Sequence, residues 1–175
     1  MRIGDYRRIA LFGNGGSGKT WLAQRLAAST RIRAYHLDRV VWQPGWVRRP
    51  PEDVAAWHRD IFGRDEWIID GEHGDTTAVR FAAAEVVVLL DRNRIACLVN
   101  VLLRRRDHRP DLPDGMTEPR VLSRGFRHFA RHIWAYPDEG RRTVLALHER
   151  YPDKPFVRVT TRRAARRLLA HAAKP

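Results

Sequence analysis

Short apolar runs alternate along this chain with stretches in which apolar residues recur every three or four positions. The runs are residues 7–12, 33–37, 66–70, 85–90 and 156–159. Each is too short for a helix, and the run at 85–90 is the clearest match to a strand buried on both faces. Helical spacing marks residues 21–28, 52–62, 94–106, 121–136, 139–150 and 162–172; in the second, Val54, Trp57, Ile61 and Phe62 share one face. No element is predicted over residues 72–84. The alternation predicts an α/β fold with a parallel sheet. Residues 42–51, rich in tryptophan and proline, read as a loop. Residues 107–119 break the pattern with Pro110, Pro113, Gly115 and Pro119. They read as a mobile surface loop, so a lid is expected at about 107–120 on a single domain spanning 1–175.

The junction between the first run and the first helix carries the strongest chemical signal. Gly13-Asn14-Gly15-Gly16-Ser17-Gly18-Lys19-Thr20 fits the phosphate-binding pattern G-x-x-x-x-G-K-[ST] in full, in the strand–loop–helix context it requires. Glycines let successive N–H groups converge on one phosphate, and the helix N-terminus adds partial positive charge. Gly13, Gly15, Gly16, Ser17, Gly18, Lys19 and Thr20 are therefore the expected ATP-binding residues. Lys19 reaches toward the β- and γ-phosphates, and the Thr20 hydroxyl is an expected Mg²⁺ ligand.

Three other strands end in acids, Asp38, Asp70 and Asp91. Ligands of open parallel sheets bind beyond the carboxyl ends of the strands. Strand-end aspartates also cap helices and form turns. Asp70, before Gly71, is weighed between holding Mg²⁺-bound water and a turn role. Asp38 is weighed between binding the acceptor and capping. Asp91 is expected to cap the helix at 94. Trp42 and Trp46 either line an acceptor pocket or anchor their loop. Arg104, Arg105, Arg106, Arg109 and Arg120 flank the lid, and Arg124, Arg127, Arg131, Arg141 and Arg142 follow it. Two or three of these are expected on phosphate, the rest in solvent. The eight histidines show no zinc spacing.

The formal net charge is +13 and the isoelectric point is about 11.2. Lys19, Lys154 and Lys174 are the only lysines, so arginine carries the charge. A surface so basic attracts nucleic acid non-specifically, although no nucleic-acid-reading motif is present. Cys97 is the sole cysteine, which excludes an intrachain disulfide and suits a reducing cytoplasm. No signal peptide is apparent, and the longest apolar stretch, 95–103, is too short to span a bilayer. Oligomeric state is not legible.

Several stretches resemble, in order, the adenylate-kinase-like P-loop proteins of the DNA topology modulation family. They are 13–20, His36-Leu37-Asp38 with Trp42-Gln43-Pro44-Gly45-Trp46, Trp67-Ile68-Ile69-Asp70-Gly71, Leu89-Leu90-Asp91, the arginine run, Ile133-Trp134-Ala135-Tyr136-Pro137 and Tyr151-Pro152-Asp153-Lys154. The resemblance implies a nucleoside-monophosphate-kinase-like, five-stranded parallel sheet of order 2-3-1-4-5 with a short lid. It also implies Asp70 on a Mg²⁺-bound water and Arg104 on the transferred phosphate. Gly71-Glu72-His73 stands where the family has Gly-Asn-Tyr, Trp21 where a small hydroxyl residue is common, and Asn100 where an adenine-stacking arginine is expected. The expected activity is Mg²⁺-dependent transfer of the ATP γ-phosphoryl group to a nucleoside monophosphate or another small acceptor. For an alcohol acceptor, Asp38 is the candidate base. The alternative is an ATP-dependent, nucleic-acid-associated regulatory protein.

Overall fold

The computed structural model describes residues 1–104, 111–121 and 123–172. Five parallel strands form the central sheet: β1 (Arg8–Gly13), β2 (Ala34–His36), β5 (Trp67–Asp70), β6 (Val86–Leu90) and β7 (Phe156–Val159). Their order is β2-β5-β1-β6-β7, which is 2-3-1-4-5 when only these five are counted. The register brackets β1 between Ile68 of β5 and Val86 of β6, both opposite Ile9.

Alternate residues of β1 feed two cores. Ile9 and Leu11 pack with Leu22 and Leu26 of α1 (Lys19–Thr30) and Ala165 of α8 (Arg162–Ala170). Ala10 and Phe12 pack on the other face with Ile61 of α3 (Pro51–Phe62), Phe81 of α4 (Gly74–Ala83) and Val144 of α7 (Gly140–Arg150). A strand covered on both sides has no polar face, which is why the three inner strands β1, β5 and β6 are apolar along most of their length. A smaller cluster of Cys97, Val101 and Ile133 joins α5 (Arg94–Leu103) to α6 (Arg124–Ala135) beside the phosphate loop. No helix among the described residues is long and apolar enough to cross a membrane.

Five expectations need correction. The second strand stops at His36, and Asp38 lies in the first turn of a short helix, α2 (Leu37–Val41). The tryptophan stretch holds a hairpin, β3 (Trp42–Gln43) and β4 (Val47–Arg48), around Gly45 at φ +83°. Helix α4 fills part of the stretch where nothing was predicted. Asp91 does not cap α5: the Asn93 side chain accepts the Ile95 N–H at 2.8 Å, while Asp91 accepts from Arg158 Nε at 2.7 Å. The lid is also more than a surface loop, since Asp111 and Leu112 are 3% and 2% exposed. Residues 107–110 of that lid, with Arg105, Arg106 and Arg109, lie outside the described residues.

Candidate active site

The phosphate loop leaves β1 at the middle of the sheet's carboxyl edge and closes on itself through the Ser17 N–H to the Asn14 carbonyl, 3.1 Å. Two helices clamp it. Asn14 is fully buried and its Nδ2 donates to the Ile133 carbonyl of α6 at 2.8 Å. Asn100 Nδ2 of α5 donates to the Gly16 carbonyl at 2.9 Å. Gly16 has φ +79°, and a Cβ there would lie 2.3 Å from the Cys97 carbonyl oxygen, so no larger residue fits. Asn100, which stands where an adenine-stacking arginine was expected, is thus a loop anchor. Its Oδ1 also accepts from Arg162 Nη2 at 2.8 Å.

Lys19 Nζ donates to the loop carbonyls of Gly13 and Asn14, at 2.5 and 2.9 Å. The Thr20 hydroxyl donates to Asp111 Oδ2 at 3.0 Å. Asp111 begins a described segment, 111–121, that is tied down at two further points. Asp114 accepts from Arg39 Nη2 at 2.9 Å, and Glu118 accepts from Arg104 Nη2 at 2.7 Å. Arg104 is therefore at the site but held in an ion pair.

Across from the loop, the ends of β2 and β5 are cross-linked by two imidazole–carboxylate pairs. His36 Nδ1 lies 2.6 Å from Asp70 Oδ1, and His73 Nε2 lies 2.9 Å from Asp38 Oδ1. Burial opposes protonation of His36, but the hydrogen bond and charge of Asp70 outweigh it and raise its pKa. Burial likewise opposes ionisation of Asp38, yet the hydrogen bond and charge of His73 hold its pKa below the ordinary value. Asp38 keeps 32% of its side chain accessible in the cleft. Gly71, at φ +138°, lets the turn pass Leu37, whose Cβ lies 2.5 Å from where a Cβ would sit.

Beneath this turn lies a fully buried arginine, Arg80 of α4. Its Nη1 donates to the Gly71 carbonyl at 3.0 Å and its Nε to Thr76 Oγ1 at 3.2 Å. The guanidinium covers the Phe12 ring, 4.6 Å from the centroid. Burial lowers its pKa, against the charges of Glu72, Asp70 and Asp38.

These groups open on one cavity of about 1310 Å³. Lys19, Thr20, Asp38, Asp70 and Arg104 all line it, as do Gly15, Gly16, Ser17 and Gly18. Gly13 lies below, its N–H 3.5 Å from Glu72 Oε2. Trp42 and Trp46 line the cavity with ring centroids 5.6 Å apart. Of the arginines around and after the lid, Arg120 lines it, whereas Arg124, Arg127, Arg131, Arg141 and Arg142 do not. The sequence reading passed over Asp111, Glu118, Arg162 and Arg80. It also took the histidines only as lacking zinc spacing, although His-x-Asp at one strand end and Asp-x-x-His at another is a pattern the chain contains.

No protein-family model matches the chain, and no curated protein matches it in sequence. Solved structures do. A shikimate kinase from Acinetobacter baumannii in complex with shikimate superposes with a TM-score of 0.57 at 16% identity, over 95% of this chain and 90% of that one. A shikimate kinase from Bacteroides thetaiotaomicron gives 0.53 at 13% identity, over 94% and 95%. The fold is that of the P-loop kinases.

Proposed function

We propose that the chain is an ATP-dependent phosphotransferase acting on a small acceptor. The observation that carries this reading is one cavity shared by Lys19 and Thr20 of the loop and by Asp38 on the opposite wall. The loop amides and Lys19 hold the ATP phosphates. Thr20, Asp70 and Asp111 are hard oxygen donors around the loop, the ligand type that suits Mg²⁺, which supplies charge neutralisation on the phosphates when bound. Lys19 is parked on its own loop carbonyls and turns toward phosphate when nucleotide enters. Arg104 stabilises transferring charge once Glu118 releases it. Asp38, ionised and held by His73, takes the proton of an acceptor hydroxyl.

The stretch most specific to the resemblance with the DNA topology modulation proteins delivers Asp38, Trp42 and Trp46 to this cavity. A single buried thiol, Cys97, suits the cytoplasm. A second reading, a nucleic-acid-associated ATP-binding regulator, draws on the exposed Arg162, Arg163, Arg166 and Arg167 of α8.

ADP formation with Mg²⁺, across a panel of acceptors and DNA, tests the two. Acceptor-dependent turnover lost in Lys19→Ala supports the kinase. ATP binding with no acceptor effect, together with ATP-dependent DNA binding at moderate salt, supports the regulator.

A further inference from the structure

The sheet order places the phosphate loop at the middle of the carboxyl edge, with β2 and β5 to one side and β6 and β7 to the other. The charges of the cavity divide along the same line. Asp38, Asp70 and Glu72 line it from the β2–β5 side, and Asp111 joins them at Thr20. None of the described lining residues within 36–46 or 70–73 is a lysine or arginine. The arginines of that neighbourhood, Arg39 and Arg48, face Asp114 and Asp75 instead. Arg92, Arg104, Arg162 and Arg166 line the cavity from the β6–β7 side, with Glu118, paired with Arg104, the one lining carboxylate described among them. Among the described residues, Arg120, ahead of α6, is the one remaining lining arginine, and Lys19 the one lining lysine. A polyanionic nucleotide fits the arginine half. Mg²⁺ held by Thr20 and its neighbouring aspartates would offset the charge of the phosphates, but Asp38 still faces the acceptor, and Glu72 adds its charge from beside the Gly13 N–H.

We propose that the acceptor is a small hydroxylated molecule that carries no anionic group, either neutral or amine-bearing, and that phosphate and carboxylate acceptors are disfavoured. This rests on the phosphotransferase reading. A second anion in a cleft already holding these carboxylates is repelled most strongly where water is excluded. Trp42 and Trp46 add aromatic faces that seat the apolar side of a ring or attract an ammonium group. In the transfer, the acceptor oxygen bonds to the γ-phosphorus as the bond to the β–γ bridging oxygen breaks. ADP departs and the hydroxyl proton passes to Asp38, then to solvent. A monophosphate acceptor, already ionised, has no proton for Asp38 to take.

The test compares matched acceptors with the full chain and MgATP: uridine with UMP, adenosine with AMP, and glucosamine with glucose 6-phosphate. The neutral or amine-bearing member of at least one pair is expected to exceed its anionic partner at least about tenfold in kcat/KM, the size of one tenfold step in transition-state binding. Glu72→Gln, checked for folding by circular dichroism, is expected to narrow that ratio. Preference for the anionic members overturns the charge assignment and leaves the kinase reading standing. ATP binding that depends on Lys19, with no ADP formed from any member, overturns both.

Discussion

Thr20 Oγ1 donates to Asp111 Oδ2 across 3.0 Å, joining the first turn of α1 to a segment 91 residues further along the chain. The contact places a carboxylate beside the hydroxyl that the loop motif assigns to Mg²⁺. Asp111→Asn keeps a hydrogen-bond acceptor for Thr20 but removes the charge. The expected result is a rise of about tenfold in the Mg²⁺ concentration for half-maximal turnover, or about 1.4 kcal/mol, with ATP binding in the absence of metal unchanged. Titrating turnover against Mg²⁺ checks it. Wild-type metal dependence in the variant would make Asp111 a tether for the segment and nothing more.

Asp38 and His73 form a second hydrogen-bonded pair in the cavity wall, 2.9 Å apart. Because His73 holds the Asp38 pKa down, the carboxylate is ionised across the neutral range and its basicity comes from position. Asp38→Asn is expected to lower turnover of an alcohol acceptor by about 10²–10⁴-fold, the range for a lost general base, with ATP affinity preserved. His73→Asn retains a hydrogen-bond donor and is expected to cost far less. Single-turnover rates for the two variants separate base from support, and equal losses would place the role on the pair.

What was legible in the sequence follows from where the information lies. The inner strands were legible because their residues are apolar on both faces, as in Val86–Leu90, and the edge strands because short apolar runs recur in alternation with helical stretches. The phosphate loop was legible because its donors are contiguous. Helix α4 was not: its buried face is Thr76, Thr77, Arg80 and Phe81, so polar side chains interrupt the apolar period. Asp111 was hidden because a proline-rich stretch looks solvent-exposed until its partner, Thr20, is known. Asp38 was placed on the right edge of the sheet but at a strand end, since a five-residue helix, α2, is too short to show a period.

Arg80 couples that missed helix to the site. Its buried guanidinium supports the Gly71 carbonyl, and so the turn carrying Glu72 and His73. Arg80→Met keeps much of the volume against Phe12 but leaves that carbonyl without its donor. Unpairing a buried group costs about 1–3 kcal/mol. A lowered urea midpoint of that size is expected, with a raised acceptor KM and little change in ATP affinity. An unchanged midpoint would mean that water replaces the guanidinium.

His58 makes the fold acid-sensitive. The ring is 5% exposed on α3, and its Nδ1 lies 2.9 Å from the Val54 carbonyl. Burial and the charge of Arg80 push its pKa down to about 4. Between pH 6.5 and about 4 the unfolded chain binds a proton at this position that the native state does not. Stability contributed by keeping His58 neutral is therefore intact above pH 6.5 and is lost as pH falls toward 4. At about 1.4 kcal/mol per pH unit the loss is bounded near 3.5 kcal/mol. His58→Leu removes the titration. Its urea midpoint should fall less between pH 7 and 4.5 than that of the wild type, even if it starts lower through the lost hydrogen bond. Parallel slopes in the two proteins would assign the acid sensitivity to the carboxylates around the cavity instead.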